Sequence, residues 1–211
     1  MIKLIIFDLD GVLVHASWKG MFEAYKAVIK WKGKDYRTFF KDFEGFKKWW
    51  TADYTDNEKR IGITTEELKK AREVFYQTVS PHFYLMKWTC RVLNKLSHRH
   101  EMAILTNRNR KTTLEHIRPV KDYFKIIITA DELNGKLKPD PFGINLILKQ
   151  TGFNPEEVIM VGDRPEDLLA GVAAGTKTVA VIWEHGLSCD KDFDGLKPDL
   201  VLRCVEDFCE L

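Results

Sequence analysis

The sequence has no long apolar run and almost no net charge. The 33 Lys and Arg residues against 31 Asp and Glu leave a formal charge of +2, too small a field to attract nucleic acid or an anionic membrane. The first apolar run, residues 1–7, is far too short for a signal-peptide core or a membrane span. We therefore expect neither a nucleic acid nor a membrane as a partner.

Cysteine is also scarce. The chain has four cysteines, Cys90, Cys189, Cys204 and Cys209. They form no C-x-x-C pair and are too sparse for a disulfide scaffold, which argues against a secreted, disulfide-rich protein. We expect free thiols and a cytoplasmic location, with a Cys204–Cys209 disulfide as the minor alternative.

What is present is an ordinary globular composition. With 211 residues, 45% hydrophobic and 30% charged, the chain can bury one α/β domain plus a small accessory domain. Residues 2–7 are apolar except for one lysine, a pattern typical of a strand buried in a parallel sheet. After residue 80, short apolar runs alternate with helical patterns, which indicates βαβ units. We predict a core domain of residues 1–15 and 81–211.

The expected elements of this core after residue 80 are four strands and four helices. The strands are predicted at 102–106, 126–129, 158–161 and 179–182, and the helices near 86–97, 110–117, 141–150 and 165–174. Gly175 stands where a helix end needs a positive φ.

Residues 16–80 differ from the rest of the chain. They hold four of the six tryptophans, are rich in lysine and contain no strand-like run. Apolar and aromatic residues recur at helical spacing over 21–29 and 39–50. Thr64-Thr65-Glu66-Glu67 matches a capping box and predicts a third helix start at Thr64. We predict an inserted domain of three or four short helices.

Polar residues collect at the ends of predicted strands and at strand-to-helix junctions. The clusters are Asp8 with Asp10, Thr106 with Asn107, Lys138 before Pro139, and Asp163 with Asp167. In an open parallel sheet, ligands bind outside the carboxyl ends of the strands. We therefore expect the four clusters to form one site.

The carboxylates of these clusters suit a hard cation. Asp8 and Asp10 point to the same side of an extended chain, and Gly11 lets the backbone turn just beyond them. Carboxylates that are buried together repel each other and favour a cation with oxygen ligands. With Asp163 as the third carboxylate, the pattern predicts Mg²⁺.

The remaining clusters suit a phosphoryl group. Lys138 and the metal can neutralise its charge, while the Thr106 hydroxyl and backbone N–H groups at the next helix start, from Asn107 on, add donors. Lys136 is the alternative to Lys138, and Thr106-Asn107 can also serve as a helix N-cap. The expected ligand is a small phosphorylated metabolite.

These motifs together resemble the haloacid dehalogenase superfamily, on its phosphatase side. The four matching segments are Asp8-Leu9-Asp10-Gly11-Val12-Leu13, Leu105-Thr106-Asn107, Lys138-Pro139-Asp140-Pro141 and Gly162-Asp163-Arg164-Pro165-Glu166-Asp167. The match continues to Gly175 in a form similar to the phosphoglycolate-phosphatase-like branch. The resemblance implies an α/β fold, with a Rossmann-like, doubly wound parallel sheet and an inserted helical cap.

The resemblance also implies a mechanism. Asp8 would attack phosphorus in line, and Asp10 would protonate the leaving alkoxide and then deprotonate the hydrolytic water. Mg²⁺ would be held by the Asp8 carboxylate, the Asp10 backbone carbonyl and Asp163. Asp167 would act through a bound water or by orienting Lys138.

The substrate would be a small phosphate monoester such as phosphoglycolate, a sugar phosphate or a nucleotide. One alternative is a phosphomutase of the β-phosphoglucomutase type, and another is a non-catalytic binding protein on the same scaffold. His15 and Trp18, at the entry to the insert, are candidates for substrate contact, with hinge packing as the alternative. Arg108 is a candidate for attracting an anionic substrate, although most arginines near a helix start are solvated.

Overall fold

The computed structural model describes residues 1–51, 54–183 and 188–211. It divides into two compact units, one of Met1–His15 with Leu85–Leu211 and one of Ala16–Tyr84. The second unit ends at Tyr84, four residues after the predicted end of the insert at residue 80. Ser80-Pro81 does not mark the domain boundary. Ser80–His82 form a 3₁₀ helix directly after the helix Leu68–Val79, and the strand Phe83–Leu85 follows.

The first unit is built on a parallel sheet. The strands of the described residues, in chain order, are β1 (Leu4–Phe7), β2 (Val14–Ala16), β3 (Phe83–Leu85), β4 (Glu101–Leu105), β5 (Ile126–Ile128), β6 (Val158–Gly162), β7 (Lys177–Val181) and β8 (Leu200–Leu202). One sheet has the order β5-β4-β1-β6-β7-β8, and all its neighbouring strands are parallel. β2 and β3 form a separate pair.

The strand order reverses at β1. From β1 the chain adds β4 and β5 on one side and then returns to add β6, β7 and β8 on the other. Such a switch point opens a crevice outside the carboxyl ends of the strands. Phe7, the last residue of β1, pairs with Ile104 on one side and Val161 on the other. The residues just beyond these three strands therefore lie side by side.

Helices complete both units. In the second unit they are α1 (Trp18–Trp31), α2 (Phe43–Trp49), α3 (Tyr54–Ile61) and α4 (Leu68–Val79); in the first they are α5 (Thr89–Ser97), α6 (Arg110–His116), α7 (Phe142–Thr151) and α8 (Pro165–Ala174). The described 3₁₀ helices are Tyr36–Thr38, Ser80–His82, Arg118–Tyr123, Ala130–Glu132, Pro155–Glu157, Asp190–Phe193 and Val205–Glu210. No helix in the described ranges is both long and apolar enough to span a membrane.

The sheet is covered on both faces. Leu4 and Ile6 of β1 join a buried cluster with Ile144 of α7 and Ala170 of α8. On the opposite face, the Phe7 ring packs against the rings of Phe124 and Phe208, 6.3 Å away in each case. Because successive side chains of a strand point to opposite faces, this alternation buries β1 completely. The doubly wound parallel fold is thus confirmed.

An aromatic core fills the second unit. The Phe46 ring is fully buried and lies 5.1–6.2 Å from its neighbours. Those neighbours are Trp18, Phe22, Tyr25, Phe40 and Trp49. Edge-on and tilted ring pairs of this kind add to the stability gained from burial alone. Trp18 and Trp49, two of the four tryptophans of residues 16–80, therefore serve as packing.

Several predicted boundaries are wrong by a few residues. The second insert helix starts at Phe43, because the Asp42 carboxylate caps it by accepting from the Gly45 N–H at 2.8 Å. The helix predicted to start at Thr64 is α4, which starts at Leu68: the Glu67 carboxylate does accept from the Thr64 N–H at 2.9 Å, but residues 65–67 form only a turn. The strands β2, β3 and β8, each of three residues, were not predicted from the sequence.

Three of the four cysteines have described side chains. Cys90, Cys189 and Cys204 are free thiols, and the Cys204 Sγ donates to Asp207 Oδ1 at 3.0 Å. The side chain of Cys209 lies outside the described residues, but with Cys204 free the alternative Cys204–Cys209 disulfide is wrong.

Candidate active site

The parallel sheet brings the predicted clusters together at one edge. Asp8 follows β1, Thr106 follows β4 and Asp163 follows β6. Asp8, Thr106 and Asp163 are all buried, although each is polar. Burial of polar groups at adjoining strand ends is unfavourable unless they have partners, so their contacts define the site.

Lys138 links two of the aspartates. Its Nζ donates to Asp8 Oδ1 at 2.6 Å and also to Asp167 Oδ1, and all three side chains are buried. Burial opposes the charge on Lys138, but the Asp167 and Asp8 carboxylates outweigh it and raise the pKa of the lysine. Lys138 is therefore a permanent cation in this site, and Lys136, which lies over the Phe142 ring, is not part of it.

The pKa values of the two carboxylates that contact Lys138, those of Asp8 and Asp167, are raised despite the lysine. Burial raises the pKa of Asp8, against the opposing attraction of Lys138, and the Asp10 charge adds to the rise. Burial likewise raises the pKa of Asp167 to about 6, again against the attraction of Lys138. One lysine is thus too little positive charge for the carboxylates around it.

Asp163 is the third buried carboxylate. Its Oδ2 accepts from the Ser188 hydroxyl at 3.1 Å, while its Oδ1 is buried and has no hydrogen-bond partner among the described residues. Burial raises its pKa well above the usual range, and repulsion from Asp167 and Asp8 raises it further.

The donor set fits a hard divalent cation. Asp8, Asp163 and Asp167 each offer an oxygen, and these oxygens lie within 4.8 Å of one another. Three carboxylates and the Lys138 ammonium leave a formal charge of −2, which a divalent ion would balance. The unpartnered Asp163 Oδ1 is the atom that a metal would satisfy. The family resemblance gave Asp167 only a supporting role. In the structure its carboxylate both contacts Lys138 and belongs to the possible metal-binding cluster.

Gly11 makes room for this cluster. Its φ of +79° lies in the left-handed region, and a Cβ added there would sit 1.9 Å from Asp163 Oδ2. Only glycine combines that backbone geometry with so close an approach of a neighbouring side chain. The turn after Asp8 and Asp10 therefore forms one wall of the Asp163 site.

Gly11→Ala is expected to lower the free energy of unfolding and to displace Asp163. Left-handed geometry costs an alanine roughly 1–2 kcal/mol, and the overlap with the carboxylate adds to that. Gly135→Ala is the matched control, because Gly135 has a φ of +81° and, apart from its chain neighbours, no atom of the described residues within 4 Å of an added Cβ. Urea unfolding compares the variants, and equal losses would contradict the contact between Gly11 and Asp163.

Asp10 is paired with a buried arginine. Arg108 Nη1 donates to Asp10 Oδ1 at 3.0 Å, and the Arg108 side chain is only 1% exposed against 35% for Asp10. The expectation that an arginine near a helix start is solvated is wrong here, because the guanidinium extends into the protein to meet this carboxylate. Arg108 thus holds Asp10 at the open side of the buried cluster.

The side-chain amide of Asn107 contacts the Lys138 backbone, while phosphate binding at Asn107 stays a prediction. Its Oδ1 accepts from the Lys138 backbone N–H at 2.9 Å, and its Nδ2 donates to the Lys138 carbonyl at 3.2 Å. Both ends of the amide thereby fix the backbone that carries the lysine. The N-cap alternative for Thr106-Asn107 is wrong, because Asn109 caps α6 by accepting from the Thr112 N–H at 3.0 Å.

His15 and Trp18 fall in different units. His15 lies on β2, where burial lowers the pKa of its imidazole. Trp18 begins α1, and its ring packs edge-on against Trp50 at 5.3 Å and Phe46 at 6.2 Å. Its described contacts are those of a core residue, and substrate contact by either side chain stays a prediction.

Two residues near the site were missed by sequence reasoning. Trp183 Nε1 donates to the Gly11 carbonyl at 2.8 Å, and Ser188 holds Asp163. Trp183 comes two residues after β7, so its place at the carboxyl end of a parallel strand was the available signal. Ser188 has no comparable signal in the sequence.

The fold and the site define an α/β enzyme whose buried carboxylates and lysine meet at the carboxyl edge of a parallel sheet. The profile of the haloacid dehalogenase-like hydrolases matches residues 5–181, and the chain belongs to this family. The assignment from the four motifs is thereby confirmed.

Individual relatives agree with this assignment. The chain is 26% identical over 221 residues to pyrophosphatase PpaX from Bacillus pumilus, covering 98% of this chain and 94% of the relative. Two solved structures share the fold. A Lactobacillus plantarum protein assigned as a phosphoglycolate phosphatase has a TM-score of 0.81 at 19% identity, covering 100% of this chain and 99% of its own. A Thermotoga maritima protein assigned as a β-phosphoglucomutase has a TM-score of 0.69 at 23% identity, covering 99% and 97%.

Proposed function

We propose that this hydrolase is a Mg²⁺-dependent phosphatase for a small phosphorylated metabolite, with Asp8 as its nucleophile. The observation that carries the proposal is the buried cluster in which Asp8 contacts Lys138 and lies with Asp163 and Asp167 within metal-binding distance. Such a cluster provides a nucleophile, a fixed cation and an excess of negative charge that a metal ion can balance.

The residues fit a two-step transfer. An Asp8 oxygen forms a bond to phosphorus while the bond to the leaving oxygen breaks, and Asp10 gives that oxygen a proton. Water then attacks the aspartyl-phosphate, Asp10 accepts the water's proton, and free phosphate leaves with Asp8 restored. The partial exposure of Asp10, 35%, suits a group that must reach both a leaving group and a water.

The other site residues hold and orient the reacting groups. Lys138 would stabilise negative charge on the phosphoryl oxygens, and the Thr106 hydroxyl would donate to them. Asp8, Asp163 and Asp167, with the Asp10 backbone carbonyl, would hold Mg²⁺. When bound, the ion would supply further neutralisation of the phosphoryl charge. Arg108 orients Asp10 through their 3.0 Å contact.

The substrate class and the setting are also proposals. The name of the Bacillus pumilus relative adds pyrophosphate to the phosphate monoesters expected from the motifs. The fold shared with a protein assigned as a β-phosphoglucomutase keeps a phosphomutase as the second candidate. We assign residues 16–84 to the cap that selects the leaving group, and the three free thiols support a reducing, cytoplasmic setting.

A substrate panel tests the proposal. The wild-type protein is expected to release phosphate from at least one of pyrophosphate, phosphoglycolate, sugar phosphates and nucleoside monophosphates, with Mg²⁺ present and not after chelation by EDTA. An isomerised sugar phosphate without free phosphate would favour the phosphomutase. No turnover of any panel member with Mg²⁺ present would contradict both and favour a binding protein.

A further inference from the structure

The indole of Trp183 contacts the turn that carries the catalytic aspartates. Its Nε1 donates to the Gly11 carbonyl at 2.8 Å, although 172 positions separate the two residues. We propose that Trp183 is a positioning residue that fixes the turn of residues 8–14. Its expected effect on turnover rests on the phosphatase function proposed above, whereas its effect on the turn does not.

The turn itself leaves this carbonyl unused. Its backbone hydrogen bonds run from the Gly11 N–H to the Val14 carbonyl at 2.7 Å, and from the Leu13 and Val14 N–H groups to the Leu9 carbonyl at 3.0 and 2.9 Å. None of them involves the Gly11 carbonyl. The indole N–H therefore supplies the contact that fixes the orientation of the peptide after Gly11.

That orientation matters for the carboxylate cluster. The Gly11 Cα lies directly against the Asp163 carboxylate, since a Cβ there would be 1.9 Å from Oδ2. The Ser188 hydroxyl donates to the same Oδ2 at 3.1 Å. Asp10 is the residue preceding Gly11, so rotation of the glycine backbone would move both the Asp163 site and the proposed acid and base.

The indole is held in place by other rings. The Trp183 ring lies 5.3 Å from Trp88 and 6.0 Å from Phe208, which themselves are 5.2 Å apart. Phe208 is buried and also packs against Phe7 of β1. This ring cluster of Trp88, Trp183 and Phe208 ties the direction of the N–H to the sheet, which is what a positioning residue requires.

Trp183→Phe separates the hydrogen bond from the ring packing. It keeps an aromatic ring in the cluster and removes the N–H. Trp88→Phe is the matched control, because it makes the same change in the same cluster and leaves the contact to Gly11. Amide hydrogen exchange of residues 8–14 is expected to be about tenfold faster in Trp183→Phe than in Trp88→Phe. The turnover number kcat is expected to fall about tenfold with KM within about twofold, because the reacting groups are misplaced while substrate contacts remain.

The outcomes are distinct. Equal exchange of residues 8–14 in the two variants would overturn the proposal, as would faster exchange with kcat unchanged in an active enzyme. If the wild-type protein hydrolyses no phosphate, the proposed function fails, but the exchange comparison still decides whether Trp183 holds the turn. If Trp183→Phe does not fold, exchange of the Trp183 indole N–H in the wild type decides: it should be protected relative to that of Trp31, which is 37% exposed. Exchange as fast as that of Trp31 would contradict the contact.

Discussion

Replacement of Asp8 by asparagine is expected to lower the rate of phosphate release by roughly four orders of magnitude or more. The amide nitrogen is not a nucleophile, and the remaining carbonyl oxygen lacks the charge that attacks phosphorus. That oxygen can still accept the hydrogen bond from Lys138, so the local structure should persist. The change also removes one of three buried negative charges that repel one another, so we expect no loss of thermal stability.

The measurement is phosphate release on the best panel substrate, with thermal unfolding followed by circular dichroism. Asp122→Asn is the matched control, because it makes the same chemical change at an exposed aspartate in the 3₁₀ helix Arg118–Tyr123. If Asp8→Asn keeps more than about one-tenth of the wild-type rate, Asp8 is not the nucleophile.

Lys138→Met is expected to lower kcat/KM by about 10²–10³-fold, the loss typical of removing one preorganised donor from an active site. Methionine matches the length of the lysine stem but has no charge, so Asp8 and Asp167 lose their shared cation. Lys136→Met is the control and also tests the alternative lysine, which lies over the Phe142 ring outside the cluster. Similar losses for the two variants would contradict the assignment of Lys138.

The stability of Lys138→Met should depend on pH in a definite direction. Burial already raises the pKa of Asp167 to about 6, above its ordinary value of 3.8, with Lys138 opposing that rise. Without Lys138 the pKa rises further, so the folded state binds protons that the unfolded chain releases, and stability falls as pH rises from 5 to 8. At pH 8, breaking this buried pair should cost about 3–5 kcal/mol. Urea unfolding at pH 5 and 8 with the metal chelated measures this, and a deficit larger at pH 5 would contradict it.

The location of the site follows from local patterns in the sequence. Buried apolar runs such as that of β1 predict parallel strands, and the polar residue after each run predicts the carboxyl edge. The register of β1 with β4 and β6 then places Asp8, Thr106 and Asp163 close together, as expected. Helix starts at Phe43 and Leu68 were harder to predict, because turns and 3₁₀ segments satisfy the same capping patterns.

The partners of individual side chains could not be predicted in the same way. Phosphate binding by the backbone at Asn107 stays a prediction, but the sequence did not indicate that the Asn107 side-chain amide holds the Lys138 backbone. Arg108 was a candidate for attracting an anionic substrate, with a solvated side chain as the alternative, but its guanidinium is buried and reaches Asp10. Neither the residue type nor the neighbours along the chain indicate these partners, because the contacts depend on packing in the folded protein.

The sequence by itself determined the family, the parallel sheet and the aspartates and lysine that collect at one edge, because strand periodicity and residue chemistry are local properties. The tertiary structure decided which groups contact one another: Lys138 with Asp8 across 130 positions, Arg108 with Asp10 across 98, and Trp183 with Gly11 across 172. Those contacts depend on strand order and on burial, which leaves each charged or polar group few partners within reach, and neither property is visible in a stretch of chain taken alone.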